Sequence, residues 1–558
     1  MRWPIAGSSR LFNGCTARLP RNLICNPVRM AMRPEPRHWR HIIWARMRPF
    51  AQILVSAYAI GTLLFWAIPG QLPSGESFHM ALVDAFYMAA ITATTIGFGE
   101  IPYPFTAAQR GFTILYAHLV VVCWLLFAGG FIATVQSRSF QRAFMGWRFR
   151  RQVWGLREPF CVVVGYGQTG VRAVDYLTDY GIACVVIDKN PARIELLDTV
   201  DFNTPVLGLV ADGSVPDHLL AAGVNRGLCT AVVVLTDNDR SNVGAATAIK
   251  LLSPERRLFV RSEHDDTGRN LLSFGVDDAL DPFRLFARKL ALRVDRPAHF
   301  AVADQLLDPG QKRIEIPREI GRDGWILCGF GRLGRAVEDA FNHRGLALNV
   351  IDPQVSSAPP HWVAGLGTEE RTLREADLTS VSGLIAGTNH DADNLSIWMT
   401  AKLARPELVG IGRLNRPSSM PAFSRAGWDL IMHPADVIAE ELVGRLRTPM
   451  LRGFLVHLEQ QDDVWVDGLI GRIHSLCGDV DLENWDTVLK PSRTPKLMGR
   501  LEGLCIDDLA RGPVMCLKMR RAGERIMLPP GDTPLHEGDE LLFWGAAPAR
   551  AAMLARFK

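Results

Sequence analysis

Seven consecutive residues, Thr94-Thr95-Ile96-Gly97-Phe98-Gly99-Glu100, place backbone and hydroxyl oxygens where a cation can use them. Removing water from K⁺ takes stacked rings of oxygen ligands. The carbonyls of Thr95, Ile96, Gly97 and Phe98 and the Thr95 hydroxyl supply such oxygens. Gly97 and Gly99 permit the torsions that turn successive carbonyls to one side. One chain contributes one quarter of a ring, so the pattern predicts four chains around an axis. Two further runs carry different chemistry. Gly165-Tyr166-Gly167-Gln168-Thr169-Gly170 and Gly329-Phe330-Gly331-Arg332-Leu333-Gly334 each follow a short apolar run and open a helix-like stretch. Such glycines allow a phosphate to approach a helix N-terminus. Asp188 and Asp352 close the next apolar runs, where a carboxylate accepts from ribose hydroxyls and favours NAD, AMP, ADP or ATP over NADP.

The oxygen-rich segment lies between two charge-free stretches, Ala51–Ile68 and Gly111–Val135. Each is long enough to cross a hydrocarbon core of roughly 20 apolar residues. Met80–Ala93 before the segment has helical character, so the loop reads as re-entrant. Non-helical backbone at membrane depth survives only where it lines a water-filled path. The preceding helix would point its negative end at the pore. Gly129-Gly130 in the second stretch suits either a hinge or close helix packing.

Charge fixes the orientation. Residues 1–48 hold ten arginines and one acid, Glu35, and no Asp or Glu occurs from Ile101 to Arg157. The positive-inside rule puts both termini in the cytoplasm and the 71–110 loop outside. The first 40 residues lack the apolar core of a signal peptide and read as a disordered basic tail near anionic lipid, with Met30 or Met32 as alternative starts.

The rest of the chain is a repeat. Gly329 follows Gly165 by 164 positions, as Asp352 follows Asp188. Beyond that the spacing becomes 152. Thr236, Asp239, Asn242 and Arg261 then match Thr388, Asp391, Asn394 and Arg413. The second copy is thus 12 residues shorter between its second and fourth strands. The Asp and Asn pairs suit turns and helix caps. Arg261 and Arg413 suit intersubunit ion pairs. Arg332 and Arg335 suit either phosphate or solvent. The patch Glu263-His264-Asp265-Asp266 offers Ca²⁺ ligands without the alternating spacing of a Ca²⁺ loop. The segments after Pro282 and Pro434 read as amphipathic, dimerising crossover helices.

The whole-chain averages hide this layout. The chain has 558 residues, 62 Lys+Arg against 58 Asp+Glu, and a net charge of +4. Its mean hydropathy is +0.08. A disordered chain and a collagen-like fibre are excluded, and the net charge gives no argument for nucleic acid. Ten cysteines without a CxxC pair indicate reduced, buried thiols rather than a zinc site or disulfide framework.

Thr94–Glu100 resembles the potassium-channel selectivity filter at every position, with Phe98 and Glu100 the less common choices. Neither changes the carbonyl ligands, and Glu100 leaves conductance and inactivation open. The two glycine-loop units resemble RCK domains, the regulators of K⁺ conductance also found in Trk-type uptake regulators. The tail from about Met498 to Leu554 resembles their small β-rich C-terminal subdomain. Together these features resemble prokaryotic two-transmembrane channels with tandem RCK domains.

The resemblance implies an α-helical two-transmembrane tetrameric pore domain, two α/β Rossmann-like RCK domains and a small β-rich C-terminal subdomain. The expected division is a basic tail over 1–48, a pore domain over 49–137, a linker over 138–158, a first RCK domain over 159–317 and a second over 318–460. The pore domain would hold a transmembrane helix at 50–69, a pore helix at 80–93, the filter at 94–100 and an inner helix at 111–136. Residues 461–558 would form the C-terminal part, with 461–497 unassigned.

K⁺ would bind at Thr95, Ile96, Gly97 and Phe98. NAD, ADP or ATP would bind at the two glycine loops, ahead of Ca²⁺. Four chains in the inner cell membrane would place eight RCK units in a gating ring, in contact with lipid and without nucleic acid. The resemblance implies no enzymatic activity. Two alternatives differ in class. A membrane-tethered NAD-dependent oxidoreductase lacks a recognisable substrate domain here, and a regulatory subunit of a separate K⁺ transporter would not need its own pore.

Overall fold

Apolar surface that one element cannot bury alone decides how these segments pack. The computed structural model describes residues 38–307, 313–354, 361–478, 480–491, 494–499 and 501–557. The arginines before residue 38, the alternative starts, Cys15 and Cys25 lie outside the described residues. The chain divides into a unit ending at Arg151 and a unit beginning at Gln152.

The first unit is built on the helices His38–Ala67 and Ala107–Gln136, both long and apolar enough to cross a membrane. Residues 38–48, expected in a disordered tail, are helical. The hydrocarbon-length stretch marks where side chains turn apolar, and the helix continues past it through Arg40, Arg46 and Arg48 to a cluster where Trp39 meets Phe140, Phe144 and Trp147. The second helix begins four residues earlier than its apolar stretch. Thr106 caps it with a capping box to Gln109. Phe65 is fully buried against Phe105, Phe112 and Tyr116. Gly61 permits this approach, since a Cβ there would meet the Tyr116 ring at 2.3 Å. The short helix Leu82–Ala93 packs against the first long helix. Residues 138–155, expected as a linker, form the helix Arg138–Gly155.

The second unit contains the two copies as six-stranded parallel sheets. The first orders its strands Val206–Val210, Ala183–Asp188, Phe160–Val164, Cys229–Val234, Arg257–Arg261, Asp278–Leu280. The second orders them Trp362–Val363, Leu348–Ile351, Trp325–Cys328, Gly383–Ala386, Val409–Arg413, Leu430–Met432. Both are the doubly wound order, in which the chain reverses direction beside the first strand and leaves a crevice there. Phe160–Val164 is buried at every position, as a sheet covered on both faces requires.

The crossover helices trade places within the chain. Pro282–Asp295 leaves the first sheet and packs on Arg332–Asn342 of the second copy, and Pro434–Arg447 leaves the second sheet and packs on Gln168–Asp179 of the first. Phe283, Phe286, Ala287 and Leu290 therefore share a core with Leu333, Val337 and Phe341. Ile438, Leu442 and Val443 share one with Cys161, Val174 and Leu177. Ion pairs rim both seams, Arg172 with Asp436 at 2.9 Å and Arg344 with Asp295 at 3.1 Å.

The C-terminal sheet is antiparallel, in the order Leu482–Val488, Glu540–Ala546, Val514–Arg521, Glu524–Met527. It begins before residue 498, where the β-rich part was expected. Leu482–Val488 carries too many polar residues to read as a strand, but its buried Asn484 donates to the Leu306 carbonyl and accepts from Thr448. The helix Asp463–Cys477 fills the same core with Val466, Leu469 and Ile473. Ala522 and Gly523, both at positive φ, make the two-residue turn of the last hairpin.

Leu442→Ala should lower stability by about 2–5 kcal/mol, the range for a buried leucine truncated in a packed core. Amide exchange in the partner copy's strands Phe160–Val164 and Ala183–Asp188 should accelerate with it. Unchanged protection there would show that the seam does not hold the first sheet.

Candidate functional site

The segment after Leu82–Ala93 is folded by its own amides. Thr95 donates to the Thr92 carbonyl, and Ile96 and Gly97 both donate to the Ile91 carbonyl, at 3.0 and 3.3 Å. Thr95, Gly97 and Gly99 have φ of 58°, 64° and 108°. Glycine tolerates these values; a threonine in the left-handed region is held there at a cost of about 1–3 kcal/mol. Among the described residues, the carbonyls of Thr95, Ile96, Gly97 and Phe98 accept no hydrogen bond. A run of carbonyls at the negative end of a short helix has the chemistry of a set of cation ligands.

Glu100 fixes the far end of this segment. Its carboxylate accepts from the Phe105 amide at 2.7 Å and from Arg110 through Nε and Nη2 at 2.6 and 3.0 Å. The residue type that left conductance open is thus a clamp onto the start of the long helix. Of the paired glycines, Gly130 packs against Phe50, whose ring a Cβ would meet at 2.8 Å, while Gly129 faces open space. The helix runs unbroken through both.

In the two glycine loops, structure separates the roles of the glycines. Gly165 and Gly329 both have φ of 98°. A Cβ on Gly170 would lie 2.0 Å from the Gly165 carbonyl oxygen, and one on Gly334 2.5 Å from that of Gly329. These glycines are required for the loop to close. Gly167 and Gly331 are different: no backbone lies within 4 Å of a Cβ on either. They leave room for an approaching group.

Asp188 and Asp352 also have a structural task. Asp188 accepts from the Tyr166 amide at 2.7 Å, and Asp352 accepts from the Phe330 amide at 2.7 Å. Each carboxylate thereby holds its glycine loop, with Arg193 3.3 Å from Asp188.

A cavity of about 600 Å³ opens over the first loop, and both copies line it. Gly165, Gly167, Asp188 and Ser214 come from the first copy, and Arg332, Arg413 and His433 from the second. Sequence spacing could not show this, because Arg332 sits in the second copy's own glycine loop. It pairs with Glu263 of the first copy, which also pairs with Arg261. Arg332 and Arg413 both stand over the Phe283 ring, at 5.1 and 4.8 Å. Burial, reinforced by Arg332, pulls the Arg413 guanidinium down to about 10. Five Lys and Arg side chains (Lys189, Arg193, Arg261, Arg332, Arg413) line the cavity against four carboxylates (Asp188, Asp212, Asp237, Glu263), with Arg261, Arg332 and Arg413 gathered on one wall. At the second loop the Phe330 and Trp362 rings meet at 4.4 Å, tilted by 59°, and residues 355–360 lie outside the described residues.

Other sequence expectations resolve locally. Asn242 and Asn394 are fully buried braces, donating to the Arg261 and Arg413 carbonyls at 2.9 and 2.8 Å. Arg261 and Arg413, expected to make intersubunit pairs, are engaged inside the chain: Arg261 with Glu263 and the Thr169 hydroxyl, Arg413 with the Gly387 carbonyl. The acids proposed for Ca²⁺ do not converge. Glu263, Asp265 and Asp266 pair with Arg261, Arg284 and Arg269 respectively, and no cluster of three metal-ligating side chains exists among the described residues.

Comparison with known proteins assigns these units. Residues 52–137 match the family model described as ion channel, and residues 161–282 and 325–434 each match the TrkA-N domain. The chain therefore carries a membrane ion-channel domain and two TrkA-N domains. It is 23% identical over 230 residues to potassium channel protein 1 of Methanocaldococcus jannaschii, covering 40% of this chain and 62% of that protein. It is 25% identical over 248 residues to the voltage-gated potassium channel Kch of Escherichia coli, covering 42% and 55%. An uncharacterized protein of Methanothermus fervidus is 26% identical over 226 residues, covering 40% of this chain and 34% of its own length. The chain thus spans between about a third and three fifths of the curated relatives it matches. Among solved structures, the GsuK channel bound to NAD matches 93% of this chain and 100% of its own, at 15% identity and a TM-score of 0.49.

The glycines should separate by stability. Gly170→Ala should fold poorly or melt far below the parent, since its Cβ meets backbone, while Gly167→Ala should melt within about 1 kcal/mol of it. Thermal unfolding of both variants checks this, and equal melting points would refute the division of roles. In the pore unit, Glu100→Ala and Arg110→Ala should reduce ion flux to the same extent, and the double variant no further. Additive losses would mean that the two side chains act separately.

Proposed function

We propose that this chain, in which an ion-channel domain is joined to two TrkA-N domains, is a potassium-selective channel of the cell membrane, gated by a nucleotide bound to its cytoplasmic part. The row of unbonded carbonyls from Thr95 to Phe98, between two membrane-length helices, carries this reading. Four copies would close those carbonyls into rings, with K⁺ at Thr95, Ile96, Gly97 and Phe98, and would bring eight TrkA-N units together in one ring. The exposed Ile96 and Phe98 side chains suit burial against neighbouring copies. The matched relatives named as potassium channels support the ion, and the basic flanks of the helices support cytoplasmic termini.

The gating ligand reads as NAD, ADP or ATP. The cavity over Gly167 offers space beside the glycine loop and cationic walls from Arg261, Arg332 and Arg413. Phosphates would sit at the N-terminus of Gln168–Asp179. Asp188 would receive ribose hydroxyls once its present partners rearrange or share it. The second loop, at Gly329, Gly331, Gly334 and Asp352, is a further candidate of the same class. Ca²⁺ has less support, because the candidate acids are already paired with arginines.

Because the cavity wall comes from both copies, a ligand there alters how they fit together. It shifts the gate only by its preference for one arrangement. The helix Arg138–Gly155 would transmit that change to the inner helix, with Gly129 the freer of the two hinge candidates.

Reconstituted in liposomes, the protein should pass K⁺ in preference to Na⁺, and Gly97→Ala should reduce K⁺ flux to background. Addition of NAD, ADP or ATP should change the flux, and Gly167→Ala should weaken that response by ~10-fold or more in ligand concentration, the scale of one lost charge-assisted contact. Equal Na⁺ and K⁺ flux through intact protein would sink the channel reading. Flux indifferent to all three nucleotides would remove the gating reading and leave the pore.

A further inference from the structure

A second cavity, of about 910 Å³, lies where the first sheet, the end of Pro434–Arg447 and the C-terminal sheet meet. Seven cationic side chains line it against two carboxylates, Asp486 and Glu540. Both Rossmann-type crevices lie at the other ends of their strands, so this cavity is separate from the one over Gly167. No residue is common to the linings of the two.

Of its cations, Arg520 pairs with Glu540 and Arg452 with Asp278 at 3.6 Å, while others are held by backbone or by a ring. Arg256 donates to the carbonyls of Cys229 and Arg226, and Arg257 to those of Arg445 and Leu446. Arg447 stands over the Tyr180 ring at 4.7 Å. Carbonyls and a ring face orient a guanidinium without neutralising it.

Lys518 is the most informative residue. It is buried, 5% exposed, on a strand whose other members are apolar or face water. A register shift between Cys516 and Lys518 re-aims it, and its ammonium donates to the Met450 carbonyl at 3.1 Å. Gly453 makes that position available, since a Cβ there would sit 2.2 Å from the Lys518 nitrogen. Burial, with Arg525 and Arg520 beside it, draws the Lys518 ammonium below its ordinary range. Bulge, glycine and carbonyl together place a cation where neighbouring cations already oppose it. Charge arranged this way is stabilised by a multivalent anion.

We infer that this cavity binds a small, multiply phosphorylated anion, held between the first Rossmann-type unit and the C-terminal sheet. Its volume suits a molecule with several phosphates, and its donors surround that molecule from three parts of the fold. A ligand there would tie the C-terminal sheet to the first copy and act apart from the nucleotide cavity. The inference stands whether or not the chain is a channel.

The test uses the full chain in detergent, with inorganic tripolyphosphate as probe and ADP present at saturation. Calorimetric titration should show tripolyphosphate binding that ADP does not remove. Arg525→Glu, at an exposed position, should weaken it by ~10-fold or more, the scale of a lost charged contact, and Arg447→Gln should weaken it in the same direction. Thermal melting of each variant verifies that it is folded. Loss of tripolyphosphate binding on adding ADP would mean that the nucleotide cavity had been the site. Parent-like binding by both variants, or the same heat from orthophosphate at matched ionic strength, would overturn the inference.

Discussion

The exchange of crossover helices is the contact on which the two-copy part of the second unit depends. Each copy's first helix, Gln168–Asp179 or Arg332–Asn342, presents an apolar face that its own sheet does not cover completely. Each copy also ends in a helix that would be stranded in water. Laying each terminal helix on the other copy's first helix buries both faces in one arrangement. Neither copy then has a finished core without the other. Hydrophobic burial on this scale is the dominant favourable term, and the charged rims, Arg172 with Asp436 and Arg344 with Asp295, set direction more than strength.

The same exchange builds the cavity over Gly167. A glycine loop by itself offers backbone amides and an open space over Gly167, which is a general phosphate cradle. The exchange brings Arg332, Arg413 and His433 of the second copy up to that cradle. Charges that would be solvated on an isolated unit become the wall of a partly buried site, where electrostatic interactions are stronger than in water. A ligand in a cavity shared this way would respond to the relation between copies, which a ligand inside one copy could not do.

Much of this was legible in the sequence because the signals were periodic or covalently local. Length and apolarity located both membrane helices, and the paired spacing of glycines and aspartates located both sheets. The segment Thr94–Glu100 was legible residue by residue, since its chemistry lies in the backbone. What escaped was set by tertiary contact. Leu482–Val488 reads as polar because Asn484 and Thr487 are buried by partners far along the chain. Arg332 belongs by spacing to one glycine loop and by position to the other copy's cavity. Glu100 read as an unusual filter residue, and its bond to Arg110 depends on where the second long helix begins. The left-handed Thr95 had no marker in its residue type.

The ion-channel unit and the second unit solve opposite versions of one problem. A buried carbonyl without a partner costs free energy, and proteins almost always avoid it. Between Thr95 and Phe98 the amides bond back to Ile91 and Thr92, so the loop has a defined shape while its carbonyls stay unused. In a single chain these residues are exposed, and in the channel proposed above the partner of their carbonyls is a cation. In the second unit cations gather at two cavities: Arg261 and Arg332, which share Glu263, with Arg413 at one, and Lys518 with Arg525 and the Glu540-paired Arg520 at the other. The ligands proposed for both cavities are anions. In both units the fold holds like dipoles or like charges close together. Packing of apolar helices supplies the free energy for that arrangement. The sites proposed for this chain are therefore the places where carbonyls or cations are crowded together on a rigid frame.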